Sequence, residues 1–219
     1  MKNLANLLFI THQTEQYSYL DSIKLALAGG CQFIQLRMKD ASDQEITQVA
    51  QDARRLCLEA GAILLLDDRV DLCHRLGLDG VHLGKQDMLP SKARLILGDE
   101  ALIGGTANSF EDILHLIEEG VDYIGLGPFR YTTTKKRLSP ILGMEGYQQI
   151  MTACRENGIT LPIYAIGGIS QADIPLLLQT GVWGISLSSA ILGAVDPVIE
   201  TKTIIHCIDK NHEKINYSR

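Results

Sequence analysis

The sequence predicts a single (β/α)8 barrel. Three observations carry that reading: eight short apolar runs of strand length, longer segments between them with helical periodicity, and a length that one barrel fills. The chain has 219 residues, and one such barrel takes about 200–250. One domain over residues 1–219 is expected, without a linker or low-complexity run, ending in a polar tail that frays from about 211 to 219.

The eight runs are Leu7–Ile10, Phe33–Leu36, Ile63–Leu66, Gly80–Leu83, Leu102–Gly104, Tyr123–Leu126, Ile163–Ile166 and Gly184–Leu187. They are mostly apolar without alternation, the mark of parallel strands covered on both faces. Between them, Ile46, Val49, Ala50, Ala53, Leu56, Cys57 and Ala60 fall on one face of a helix, as do Ile113, Leu114, Leu116 and Ile117, and Ile174, Leu177 and Leu178. Ser42, Ser109 and Ser170 each precede an acid three residues on, a capping-box start in which the hydroxyl satisfies an orphan amide. Gly29-Gly30, Gly61, Gly77, Gly120, Gly158 and Gly181 close the helices. Eight strand–helix units close a barrel; an open doubly wound sheet is the fallback. Residues 129–143 form a long loop for this architecture, and such loops on a rigid scaffold carry function.

The formal net charge of −6 argues against a nucleic-acid partner, which needs excess basic charge to displace counterions. A small anion is not excluded, because it meets only the charges of its own pocket. Five cysteines without a C-x-x-C pair read as reduced thiols of a cytoplasmic enzyme. The apolar run near the N-terminus is too short for a signal segment, and no stretch reaches the ~18 residues of a membrane helix. Small-molecule substrates are expected, with no nucleic acid and no membrane; a homo-oligomer is left open.

In this architecture chemistry sits around the C-terminal ends of the strands. There the sequence offers Gln35, Arg37 and Lys39, spaced by two so that they can converge from an extended segment. It also offers Asp67 and Asp68, then Lys85 and Asp87, Thr106 and Asn108, the Thr132–Arg137 run, Gly167-Gly168 and Ser188-Ser189. The cations Arg37, Lys39 and Lys135 beside the carboxylates Asp68 and Asp87 make sense around a diphosphate and Mg²⁺: carboxylate oxygens hold the hard cation, and the cations hold the remaining phosphate oxygens. Gly167-Gly168 and Ser188-Ser189 follow strands seven and eight, where bare amides at helix N-termini bind a phosphate. Two anion sites on one rim suggest a reaction between two phosphorylated molecules. Each feature also has a structural reading: a solvated turn at Asp67–Arg69, a tight turn at Gly167-Gly168, an exposed charge run at 132–137. His82 reads as a satisfied structural histidine, and His12 stays ambiguous.

Six motifs in order resemble the thiamine-phosphate synthase family: Gln35-Leu36-Arg37-Met38-Lys39 (Q-L-R-x-K), Asp67-Asp68-Arg69-Val70-Asp71-Leu72 (N-D-R-x-D-L), Gly80-Val81-His82-Leu83-Gly84 with Asp87 (G-V-H-L-G-x-x-D), Asp122–Pro128 (D-Y-I-G-x-G-P), Thr132-Thr133-Thr134-Lys135 (T-x-T-K) and Ala165–Ile169 (A-I-G-G-I). The resemblance implies a Mg²⁺-dependent transferase joining hydroxymethylpyrimidine diphosphate to thiazole phosphate, with dissociative loss of diphosphate. It implies Arg37, Lys39 and Lys135 as catalytic cations, with Asp68 and Asp87 on the metal and Thr106 on the diphosphate. Gln35 and Asp67 would face the pyrimidine edge, and Thr132, Thr134, Gly168, Ser188 and Ser189 the thiazole phosphate. The chain departs from the pattern at Asp67 (Asn), Lys85 (Gln), Thr106 (Ser), Asn108 (His) and Phe129-Arg130-Tyr131 (I-F/Y-P). The alternatives weighed beside it are a thiazole tautomerase-like homologue, a non-catalytic thiamine-precursor-binding barrel and an unrelated phosphate-binding barrel such as a sugar-phosphate epimerase. The family's tautomerase relatives carry a His where Pro128 stands.

Overall fold

A computed structural model describes residues 4–131 and 140–217. Its strands are β1 (Leu7–Ile10), β2 (Phe33–Leu36), β3 (Ile63–Asp67), β4 (Gly80–Leu83), β5 (Leu102–Ala107), β6 (Tyr123–Leu126), β7 (Ile163–Ile166) and β8 (Gly184–Leu187). Each pairs in parallel with the next and β8 pairs with β1, closing the barrel. Around it lie α1 (Tyr19–Ala28), α2 (Asp43–Ala60), α3 (Val70–Leu76), α4 (Pro90–Leu97), α5 (Phe110–Glu118), α6 (Gly143–Glu156), α7 (Ile174–Gln179), α8 (Ser189–Leu192) and α9 (Pro197–Tyr217). Among the described residues no helix is long and apolar enough to cross a membrane.

The strand bounds follow the apolar runs, with two corrections. β5 does not end at Gly104 but continues through Gly105 and Thr106 to Ala107, pairing Thr106 with Gly125 and Ala107 with Leu126. Two glycines interrupt the side-chain pattern while the backbone ladder continues, so Thr106 lies inside the strand rather than after it. β3 likewise runs one residue further, to Asp67. The capping boxes at Ser42, Ser109 and Ser170 form, each with its acid returning a bond to the serine amide. Helix α9 extends through 211–217, the stretch expected to fray.

Two separate apolar clusters result from the period-two alternation. The larger lies between sheet and helices and includes Ile34, Leu36, Leu64, Leu66, Ile103 and Ile124. The smaller fills the barrel with Leu8, Phe33, Leu65, Leu102, Tyr123 and Tyr164. Two residues further along the same strands, the inward series reaches Gln35, Asp67, Gly104 and then Thr106. The barrel is plugged with aromatic and aliphatic side chains near its strand starts and turns polar toward the strand ends, so the fold delivers the candidate site.

Candidate active site

Gln35, Arg37 and Lys39 converge as their spacing predicts, and what they converge on is Asp67. Gln35 Nε2 donates to Asp67 Oδ1 at 2.5 Å, while Arg37 Nε and Lys39 Nζ lie 3.6 and 3.8 Å from Asp67 Oδ2. Asp67 is buried, and burial pushes its carboxyl up to about 6 against the pull of Lys39 and Arg37. Gln35 Oε1 and Asp67 Oδ2 have no hydrogen-bond partner, although both are sealed from solvent. Buried polar groups are nearly always satisfied, so this adjacent pair is available to a ligand that hydrogen-bonds.

Asp68, next along, has φ +58 and is the one non-glycine residue in the left-handed region among those described. Its amide donates to the His82 carbonyl at 3.0 Å; its carboxylate meets Lys39 at 3.4 Å and Arg69 at 3.3 Å. Such backbone strain persists where the surroundings impose it, characteristically at functional sites. On the neighbouring β4–α4 loop, Asp87 Oδ2 accepts from the Gly84 amide at 2.6 Å. Among the described residues no three His, Cys, Asp or Glu side chains group to hold a metal ion. Asp68 and Asp87, on adjacent loops, are the carboxylates that could hold a Mg²⁺ ion, which takes few protein ligands and keeps part of its shell for water and substrate oxygens. Lys85, the departure beside Asp87, pairs with Asp112 at 2.5 Å.

His82 is structural, as read from the sequence: Nδ1 meets Tyr123 Oη and Nε2 meets Thr106 Oγ1, both at 2.9 Å. Tyr123 is fully buried. In the His82 tautomer protonated at Nε2, Tyr123 Oη donates to Nδ1 and Nε2–H donates to Thr106, whose hydroxyl can then donate to a further acceptor.

The Gly167-Gly168 turn differs from expectation. Gly168 does not abut a regular helix: a 3-10 turn, Gln171–Asp173, intervenes before α7. The Ser170 capping box draws the chain into that tighter turn first. After β8, Ser188 is the N-cap of the four-residue α8. Its hydroxyl donates to the Ile10 carbonyl at 2.5 Å and meets His12 Nδ1 at 2.7 Å. That proton is committed, so His12 Nδ1 is the donor of the second bond. Burial, then the nearby Arg37 charge, lowers the His12 pKa.

Thr132, Thr134 and Lys135 lie outside the described residues. Three residues that the sequence reading left without a role are Thr11, whose Oγ1 accepts from the Arg37 amide at 3.0 Å, His12, and Arg130, which pairs with the Ser170 capping acid Asp173. His12 and Ser188 are 176 positions apart, and nothing local announces such a contact.

A family model described as thiamine monophosphate synthase matches residues 7–191. A Bacteroides fragilis protein named thiamine-phosphate synthase is 56% identical over 203 residues, covering 93% of this chain and 100% of that protein. A protein of the same name from Bacteroides thetaiotaomicron is 54% identical over 203 residues, covering 93% of this chain and 97% of its own. The solved structure of a thiamine phosphate pyrophosphorylase from Pyrococcus furiosus matches with a TM-score of 0.81 at 32% identity, covering 94% of this chain and 96% of that one.

Proposed function

The chain belongs to the thiamine monophosphate synthase family and is a transferase of thiamine biosynthesis; from that premise we propose the reaction, the metal and the residues that act. Hydroxymethylpyrimidine diphosphate and thiazole phosphate are joined to thiamine phosphate. The bond from the exocyclic carbon to the diphosphate oxygen breaks with both electrons on oxygen, and the thiazole nitrogen lone pair forms the new C–N bond. The electron-rich aminopyrimidine bears the positive charge between these events.

The observation that carries this reading is the orphan pair Gln35 Oε1 and Asp67 Oδ2, flanked by Arg37 and Lys39. The pair is suited to a heterocycle edge that mixes donor and acceptor atoms, and the cations to the diphosphate attached to it. Arg37 and Lys39, with Lys135, hold phosphate oxygens and stabilise charge as it develops on the leaving group. At 4 Å and an effective dielectric near 20, each such charge pair is worth about 4 kcal/mol before desolvation. Thr106 supplies a hydroxyl to the diphosphate. Gly168, Ser188 and Ser189, with Thr132 and Thr134, hold the thiazole phosphate so that its nitrogen faces the departing carbon. Ser188 contributes through its backbone, since its hydroxyl is engaged with Ile10. Mg²⁺ on Asp68 and Asp87 supplies charge neutralisation to the diphosphate when bound. The five free cysteines support a cytoplasmic setting.

The test is incubation with both substrates and Mg²⁺, following thiamine phosphate and diphosphate. Both products are expected in equal amounts; chelator abolishes turnover and Mg²⁺ restores it, while Asp87→Ala loses orders of magnitude in rate with the fold intact. Binding of both substrates without turnover would favour a precursor-binding barrel, and full activity in excess chelator would refute the metal assignment.

A further inference from the structure

Arg130 and Asp173 form a two-pronged ion pair at the rim, and the proposed reaction uses neither. Arg130 Nη2 donates to Asp173 Oδ1 at 2.6 Å, and Nη1 donates to Asp173 Oδ2, a two-pronged contact. Nη1 also lies 3.4 Å from the Gly168 carbonyl. The guanidinium rests 4.5 Å from the centre of the Phe129 ring, and rings of this kind attract a cation over their face. Asp173 is itself fixed, because its Oδ2 accepts from the Ser170 amide at 2.9 Å and the Ser170 hydroxyl at 2.6 Å. The Arg130 bond holds the Asp173 carboxyl well below the usual carboxylate range.

The turn that this clasp grips has little stiffness of its own. Gly167 and Gly168 have φ +94 and +67, conformations that glycine enters and leaves at low cost. Residues 129–131 lie against it: Phe129 and Arg130 amides donate to the Ile166 and Gly167 carbonyls at 2.9 Å. A Cβ on Gly168 would meet the Tyr131 carbonyl oxygen at 2.7 Å. In a trans peptide the C=O and the following N–H point opposite ways. Holding the Gly168 carbonyl toward Arg130 therefore fixes the direction of the Ile169 amide. A phosphate bound by bare amides needs those amides held before it arrives.

We propose that Arg130, acting through Asp173 and the Gly168 carbonyl, is a positioning residue for the thiazole-phosphate subsite. The inference rests on the reading that the Gly168 turn holds that phosphate. The family pattern has an aromatic residue at this position, so the device belongs to this chain's variant of the loop.

The experiment is calorimetric titration of wild type, Arg130→Gln and Arg130→Lys with thiazole phosphate and, separately, with Mg²⁺ and inorganic diphosphate. Arg130→Gln is expected to weaken thiazole phosphate about tenfold or more, the scale seen when a group orienting a ligand contact is removed. Its affinity for Mg²⁺-diphosphate stays within about twofold, as for independent sites. Arg130→Lys keeps the charge without the fork and shows the same one-sided loss; it carries the test if thermal melting shows Arg130→Gln unfolded. Equal losses for both ligands, an unchanged thiazole-phosphate affinity, or no thiazole-phosphate binding by wild type overturns the inference. A one-sided loss in a protein whose wild type forms no thiamine phosphate leaves the inference standing and removes the proposed reaction instead.

Discussion

Asp67 concentrates the residue-scale argument. Its carboxyl is ordinarily half-protonated near 3.8 and is pushed up to about 6 by burial. A raised folded value means that the folded state holds the proton more tightly than the unfolded chain. That contribution to stability is complete below about pH 4 and is lost as pH rises through about 6. Asp67→Asn removes the ionisable group while keeping a side chain of the same shape. In metal-free buffer the variant is expected to gain stability relative to wild type between pH 4 and 7, and to level off above. Urea midpoints of both proteins across that range measure it, and parallel profiles would show that Arg37 and Lys39 compensate the charge fully. The sequence gives the Gln35, Arg37, Lys39 convergence through alternation alone. It does not give their shared target, because which side chain of β3 faces them depends on the β2–β3 register, where Gln35 pairs with Leu65.

At the scale of elements, caps and strand runs were readable because their signals are local. The Ser42 box needs only a serine, an acid three residues on and an apolar stripe behind them, and all its bonds close: the Ser42 hydroxyl accepts from the Glu45 amide at 3.3 Å, and Glu45 accepts from the Ser42 amide at 2.8 Å. Ser42→Ala is expected to cost about 1 kcal/mol of stability, the usual loss for a capping hydroxyl. Because Ser42 touches none of the proposed ligand groups, kcat/KM should not change. Chemical denaturation and steady-state assays check the two halves, and a fall in kcat/KM at full stability would mean that α2 positions Lys39. The 3-10 turn before α7 and the extension of β5 were not readable. In the first, a capping signature specifies where a helix starts without specifying how tightly its first turn winds. In the second, Gly104 and Gly105 carry no side-chain signal, and only the ladder to β6 holds them extended.

The whole molecule is held by how one closed sheet fills itself. Tyr123, Tyr164 and Phe33 meet edge to face inside the barrel with ring centres 5.5–5.8 Å apart. Their volume is accommodated because glycines stand opposite the tyrosines: Gly104 pairs with Tyr123 and Gly184 with Tyr164. A Cβ at Gly104 would lie 2.1 Å from Tyr123 Cζ, a distance no packing permits, and Tyr123 is held by two aromatic neighbours and by His82. Gly104→Ala should therefore destabilise by about 1–3 kcal/mol, the range for overpacked cores. The displaced phenol would also pull His82 away from Thr106, so the KM for pyrimidine diphosphate should rise as well. Tyr123→Ala alone should lose about 3–5 kcal/mol, as for other large aromatic truncations. In the double variant the space left by the ring receives the new methyl group. Its loss should be smaller than the sum of the two single losses, the signature of residues in direct contact. Gly61→Ala serves as the comparison: Gly61 has φ +64 but nothing within 4 Å of its missing Cβ. It should lose about 1 kcal/mol from backbone strain alone, with KM unchanged. Additive losses at 104 and 123, or a Gly104→Ala protein as stable as wild type, would mean that the barrel wall yields at β5 and that the glycine–tyrosine pairing does not set its shape.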